Sequence, residues 1–252
     1  MWRNCVKQDI RADAANIGEA IKAAQPRKSQ NNLYEPYSTP RILWELIRFA
    51  ARLILFLISH VHLRGRYNVP RRGPYIIAAN HLSWIDVAMV PAYLPGKVVY
   101  MAKEEAFQSK VGWLVRFLGA FPVKRGEGDR QALRTAENLL KKQKVLIIFP
   151  EGTRSKTRAL AKAHAGLGMI ALRSGAPVVP VAIWGSENVL KKFGPHVTIC
   201  YGEPIVFKPK GPKITREEIE AATEEIMYRI AAMLPERYRG VYSQTVETTV
   251  QN

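Results

Sequence analysis

Val145-Leu146-Ile147-Ile148-Phe149 runs without a polar break, and Pro150-Glu151-Gly152-Thr153-Arg154-Ser155 follows at once. An apolar run this short, bounded by a turn, reads as a strand. With no polar face it has to be covered on both sides, as strands are in parallel sheets flanked by helices. The pattern recurs upstream at Tyr75–Ala79 and downstream at Val178–Ile183. Further strands are expected at Lys97–Met101, Phe121–Lys124 and His196–Tyr201, with Lys144–Phe149 as the full extent of the first. Helices are expected between them at Trp84–Tyr93, Val111–Leu118, Asp129–Lys142, Gly166–Ser174, Ser186–Lys192 and Thr215–Leu234. Strands alternating with helices give an α/β fold: a mixed, largely parallel central sheet flanked by helices. Pro180 lacks an N–H, so its strand is expected at an edge or interrupted there.

Around this body the chain divides by composition. Residues 1–40 are polar, with a short helix expected near residues 9–24 and a linker over 25–40. Residues 41–64 are the most apolar part, and 65–239 form the main domain. Residues 240–252 are polar and expected to be a loose tail. Within 41–64 the longest apolar run, Leu53–Ile58, is far below the roughly 20 residues that span a bilayer. Arg41, Glu45, Arg48, Arg52 and Ser59 fall on one stripe of a helix, opposite Leu43, Leu46, Ile54 and Leu57. That pattern fits an amphipathic helix lying in a membrane interface with its basic side toward the headgroups. It also fits a helix packed on the protein's own core.

The 38 Lys and Arg against 21 Asp and Glu give a net charge of +17, which attracts polyanions such as an anionic leaflet or an acidic carrier protein. No nucleic-acid module or aromatic-basic stripe accompanies the charge, so nucleic acid is not an expected partner. Cys5 and Cys200 are too far apart in sequence to suggest a disulfide scaffold or a zinc site, and no metal site is read from the histidines. A reducing, cytosolic exposure fits that cysteine usage. Asp9, Asp13 and Glu19 precede the first apolar stretch, so no secretory signal is expected to open the chain.

Four short stretches at strand ends carry the chemistry. The first is Asn80-His81-Leu82-Ser83-Trp84-Ile85-Asp86. A histidine fixed by a carboxylate is the common pairing for a general base near neutral pH. Five residues in a regular helix turn through roughly 500°, which would leave the two side chains about 140° apart. They meet only if His81 lies in a turn and Asp86 in the helix after it, with Ser83 as the expected N-cap. The same spacing also fits a surface turn in which Asp86 caps backbone. The second stretch, Gly119–Gly126, places Lys124 and Arg125 at a strand end, where arginine suits phosphate. The third is Phe149–Ser155, an apolar strand running into a turn with Glu151, Gly152, Thr153 and Arg154. The fourth, Val178–Ile183, has no titratable group and would form an apolar wall.

In order and spacing these stretches resemble the four motifs of the glycerophospholipid acyltransferase family, typified by bacterial 1-acylglycerol-3-phosphate acyltransferases. Ala102–Phe107 is similar to the family's segment between the first two motifs, and the resemblance covers roughly 65–204. It implies acyl transfer from acyl-CoA or acyl carrier protein to a lysophospholipid. The acceptor it points to first is 1-acyl-sn-glycerol-3-phosphate, giving phosphatidic acid. By resemblance His81 and Asp86 are catalytic, and Lys103, Arg125, Glu151, Gly152, Thr153 and Arg154 bind substrate, without cofactor or metal. Localisation would be peripheral or monotopic, on the cytoplasmic face of the cell membrane. Lys124 departs from the acidic residue frequent in the family, and Ala161–Gly166 is only loosely family-like, so His164 receives no catalytic role. A thioesterase-like hydrolase and a non-catalytic basic lipid-binding protein are the rival readings.

Overall fold

Seven strands form one sheet: β1 His60–Arg64, β2 Tyr75–Ala79, β3 Val98–Lys103, β4 Ala120–Val123, β5 Val145–Ile148, β6 Val178–Trp184 and β7 His196–Tyr201. The computed structural model describes residues 36, 39–109, 112–124, 129–191 and 193–243. The helix expected near 9–24, Arg125 and most of the expected tail lie outside them. The strand order is β1-β7-β6-β2-β5-β3-β4. Strands β6, β2, β5, β3 and β4 are parallel; β7 is antiparallel to β6, and β1 is parallel to β7. The mixed, largely parallel sheet is as expected. The edge strand β1 was not: His60–Arg64 alternates exposed and half-buried residues and reads as the tail of the preceding apolar helix.

Helices cover both faces. Tyr75, Ile77 and Ala79 of β2 share one apolar cluster with Trp44 and Leu55 of α1 (Arg41–Ile58) and Met89 and Val90 of α2 (Asp86–Ala92). Ile76 and Ala78 alternate to the other face, where α5 (Arg130–Lys141), α6 (Gly166–Ser174) and α7 (Arg216–Met233) pack. Both sets are fully buried, which is why β2 shows no polar alternation. Each large aliphatic side chain buried this way contributes roughly 1.5–3 kcal/mol. Two short helices, α3 (Glu104–Gln108) and α4 (Gly112–Phe117), connect β3 to β4. Thr215 and Glu218 form a reciprocal capping box that starts α7. Gly168 lets α6 approach α7, since a Cβ there would sit 2.3 Å from the Ile219 carbonyl oxygen.

Several expectations are corrected. The helix expected over 186–192 shrinks to a single 3-10 turn, Ser186–Asn188. Residues 240–242 are another 3-10 turn rather than loose tail, with Tyr242 buried and its hydroxyl accepting the Ala163 N–H at 3.3 Å. Pro180 sits in an interior strand. Its carbonyl accepts the Gly202 N–H at 2.8 Å, and the ladder with β7 begins only at Val181↔Tyr201. The missing N–H therefore falls at the end of that ladder.

The largest correction concerns α1. It ends at Ile58, not at residue 64, and Arg48, Arg52 and Ser59 of its polar stripe face the protein rather than outward, while Arg41 and Glu45 are exposed. Arg48 is only 7% exposed and donates from Nη1 to both Glu45 carboxylate oxygens at 2.9 Å. Arg52 donates from Nε to the Ala92 carbonyl at 2.5 Å, at the C-terminus of α2, where the helix dipole favours a cation. Trp44 donates its indole N–H to the Gly96 carbonyl at 2.9 Å. Arg52 and Ser59 thus bond to backbone carbonyls and Arg48 to Glu45, with the buried Arg48 Nε left without a partner among the described residues, while the aliphatic side remains bare, with Ile42 78% and Phe56 76% exposed. Among the described residues no helix is long and apolar enough to cross a membrane.

Candidate active site

The first and third stretches follow adjacent strands, β2 and β5, at the same edge of the sheet. Residues 81–85 are not helical, and α2 begins at Asp86, which is why the five-residue spacing closes. Ser83 is not the N-cap; that position falls to Ile85, with no side-chain cap. Instead Asp86 Oδ2 reaches back and accepts the N–H groups of Leu82 and Ser83, each at 2.7 Å. The same oxygen lies 2.9 Å from His81 Nδ1. Both readings of the spacing therefore hold together: Asp86 caps backbone and orients the imidazole. An oxygen already accepting two backbone N–H bonds is an acceptor toward the ring too, so Nδ1 donates and the lone pair lies on Nε2. Among the described residues nothing hydrogen-bonds Nε2.

Around this pair the loop is tied down at every side. The Asn80 side chain donates to the Ile183 carbonyl at 2.8 Å and accepts the Ile183 N–H at 2.7 Å, continuing the β2–β6 pairing past the strand end. The Ser155 N–H donates to the His81 carbonyl at 2.8 Å. The His81 ring stacks on Phe149, centroids 4.3 Å apart. Glu151 is buried beneath, one carboxylate oxygen accepting the His81 N–H and the other the Ala161 N–H, each at 3.0 Å. Burial pushes the Glu151 carboxyl up to about 7; the two N–H donors pull the other way, and the nearby Asp86 charge adds to the rise. The Glu151 carboxylate, grouped with substrate-binding residues by resemblance, is thus bonded to backbone on both sides, including the loop that carries His81.

Gly152 takes a left-handed φ of 65° and its N–H closes the turn onto the Phe149 carbonyl at 2.9 Å. Thr153 and Arg154 beyond it are exposed. The Arg154 guanidinium lies 4.2 Å from the centre of the Trp84 ring, a cation–π contact linking the third stretch to the first. Lys103 ends β3 and pairs with Glu105 at 2.6 Å; both are exposed, and the pair is weak. Lys103 and the end of β4 share the sheet edge of His81, with strands about 5 Å apart along it. The Lys124 N–H is held by Asp129 at 2.9 Å, while Arg125 lies outside the described residues. His164 is exposed. Among the described residues no group of His, Cys, Asp and Glu is placed to hold a metal ion.

The structure adds roles that local sequence signals do not carry. The Asn80 clamp joins residues 103 positions apart, and the reading of Phe149 as the strand end that opens the third stretch gave it no contact with His81.

A family model described as Acyltransferase matches residues 60–184, from β1 to the end of β6. The 1-acyl-sn-glycerol-3-phosphate acyltransferase of Bacillus subtilis is 34% identical over 185 residues, 72% of this chain and 92% of that protein. The chain belongs to the glycerophospholipid acyltransferase family. A solved structure agrees: that of the 1-acyl-sn-glycerophosphate (LPA) acyltransferase of Thermotoga maritima has a TM-score of 0.58 and 28% identity, covering 82% of this chain and 83% of that one. The lyso-ornithine lipid O-acyltransferase of Pseudomonas aeruginosa is 36% identical over 135 residues, 53% of this chain and 50% of that protein. In this chain the His81–Asp86 pair lies at the sheet edge where the parallel strands β2, β5, β3 and β4 end.

Proposed function

We propose that this acyltransferase moves a fatty acyl group from acyl-CoA or acyl carrier protein to the free hydroxyl of 1-acyl-sn-glycerol-3-phosphate, giving phosphatidic acid. The observation that carries the reading is the His81–Asp86 pair, with Nε2 free and Nδ1 held at 2.9 Å. His81 Nε2 takes the proton of the acceptor hydroxyl as its oxygen attacks the thioester carbonyl. Asp86 stabilises the imidazolium that results, as the carboxylate does in a serine-protease triad. The tetrahedral intermediate collapses, the C–S bond breaks, and the imidazolium returns the proton to the thiolate. No acyl-enzyme is required. The N–H groups of Thr153 and Arg154, which have no partner among the described residues, are the donors this turn leaves for the oxyanion. Arg154, Lys103 and Arg125 hold the acceptor phosphate, and the Trp84 ring keeps Arg154 beside the base.

The exposed side of α1 supports a peripheral seat on the cytoplasmic face of the membrane. In this reading α1 lies on the bilayer by its aliphatic side while Arg48 and Arg52 stay with the protein.

A second acceptor is favoured by one observation, the likeness to a lyso-ornithine lipid acyltransferase. The test is a panel of lysolipids incubated with radiolabelled acyl-CoA or acyl carrier protein. Labelled phosphatidic acid as the main product supports the proposal. Preference for lyso-ornithine lipid would replace the acceptor, and release of free fatty acid alone would make the protein a hydrolase.

A further inference from the structure

We propose that the loop between β6 and β7 is a second contact with an anionic lipid bilayer, seated beside the last turn of α1. This rests on the membrane-surface reading of α1 given above. The loop carries Leu190, 71% exposed, and Phe193, 91% exposed, with exposed Lys191 between them. One large apolar side chain at a surface is ordinary; two in one short turn, joined to a larger bare face, are not. The join is physical. The Gly194 N–H donates to the Ile58 carbonyl at 3.2 Å, and the His60 N–H donates to the Pro195 carbonyl at 2.9 Å. The loop is therefore bonded to the end of α1, next to exposed Phe56 and Leu57.

The polar surroundings match a lipid headgroup layer. Lys191 is cationic, and His60, His62 and His196 are exposed at the neighbouring starts of β1 and β7, with His62 Nε2 3.1 Å from His196 Nδ1. The net charge of +17 draws the whole molecule to an anionic surface. Apolar tips beside a cation and polar rings are the arrangement that inserts shallowly and stays.

A second contact does what α1 alone does not. A helix lying in an interface leaves the protein free to roll about the helix axis, and a contact away from that axis stops the roll. The loop starts two residues past Ile183, the residue clamped by Asn80, on the sheet edge that carries His81. Seating Leu190 and Phe193 in the bilayer thus turns the His81 edge toward the lipid, where a lysolipid acceptor presents its hydroxyl.

The experiment places an environment-sensitive fluorophore at Phe193→Cys, at Leu57→Cys or at Lys213→Cys, each in a Cys5→Ser, Cys200→Ser background. Lys213 is exposed in the loop after β7, a strand that ends at the sheet edge away from His81. Vesicles of phosphatidylcholine with phosphatidylglycerol are then added. The inference expects blue shifts at positions 57 and 193 and none at 213. It also expects Leu190→Asp with Phe193→Asp to lower vesicle partitioning roughly tenfold or more. A shift at 57 with none at 193 overturns the inference and leaves the α1 reading standing. No shift at either, with the protein absent from sedimented vesicles, overturns the α1 reading and the inference with it. A shift at 193 that follows protein concentration and ignores lipid assigns the loop to a second copy of the chain and also overturns the inference.

Discussion

The His81 loop and helix α1 treat their side chains in opposite ways. At His81 the neighbouring side chains bond to backbone: Asn80 on Ile183, Asp86 on Leu82 and Ser83, Glu151 on His81 and Ala161. On α1 Trp44 and Arg52 bond inward to backbone carbonyls, and the large aliphatic side chains such as Ile42, Ile54 and Leu57 face out. The first region is determined by the protein alone. The second is half an interface. Substitutions in the first should therefore damage chemistry or stability wherever the acceptor is presented. Substitutions on the outer side of α1 should matter only when a membrane is present.

The largest effects are expected at the His81–Asp86 pair. His81→Ala and Asp86→Asn are expected to lower kcat by about 10²–10⁴-fold, the usual range for a general base, with the acceptor KM little changed. Circular dichroism checks that each variant is folded. An equal loss in kcat and gain in KM would move His81 from base to binding group.

Glu151 comes next, and the sign of its effect follows from its surroundings. The native state keeps this proton up to about pH 7, whereas an ordinary carboxyl loses it near 4.5. Between those values the native state binds more protons than the unfolded chain, so its stability falls as pH rises, by about 3 kcal/mol in all. Below 4.5 both states are protonated and the dependence vanishes. Glu151→Gln should remove this slope in urea melts at about pH 5 and about pH 8. It should also lower kcat, because an amide cannot accept both N–H groups and one donor is left facing its NH₂, at a cost of about 1–3 kcal/mol. A slope identical to the unsubstituted protein would show that Glu151 titrates as an exposed carboxylate.

Arg154→Ala is a smaller change at the rim of the same site. It is expected to raise the acceptor KM roughly tenfold, the scale of one charge-assisted contact, and to leave the donor KM alone. The converse pattern would place Arg154 at the donor. Smallest of all is the effect of Ile54→Asp with Leu57→Asp on stability. Both side chains are exposed, so the free energy of unfolding in detergent-free buffer should change by less than about 0.5 kcal/mol per site. A loss of several kcal/mol would mean that this face packs against protein after all.

The same contrast explains what was legible in the sequence. Tyr75–Ala79, Val145–Ile148 and Val178–Ile183 are buried on both faces, so unbroken apolar runs announced the sheet and its α/β class. His81 and Asp86 were legible because their partnership is local, five residues long. The edge strand β1 was not, because half-exposed His60–Arg64 continues an apolar helix without a turn residue. The orientation of α1 was not either. Periodicity separates a polar stripe from an apolar one, and here Arg52 and Trp44 found carbonyls at Ala92 and Gly96, which lie about 40–50 residues away in sequence. The clamp between Asn80 and Ile183 and the backbone role of Glu151 depend on contacts of the same long range. Residue type and spacing say nothing of such partners until the sheet order is known.

One measurement tests the division between the two regions most directly. Transfer of labelled acyl groups to 1-acyl-sn-glycerol-3-phosphate is followed with the acceptor in anionic vesicles and, separately, dispersed in detergent, for His81→Ala and for Ile54→Asp with Leu57→Asp. The account predicts that His81→Ala is inactive in both, and that the α1 variant loses activity on vesicles while keeping near-normal turnover in detergent. Substantial turnover by folded His81→Ala, or an equal loss by the α1 variant in both presentations, would contradict it.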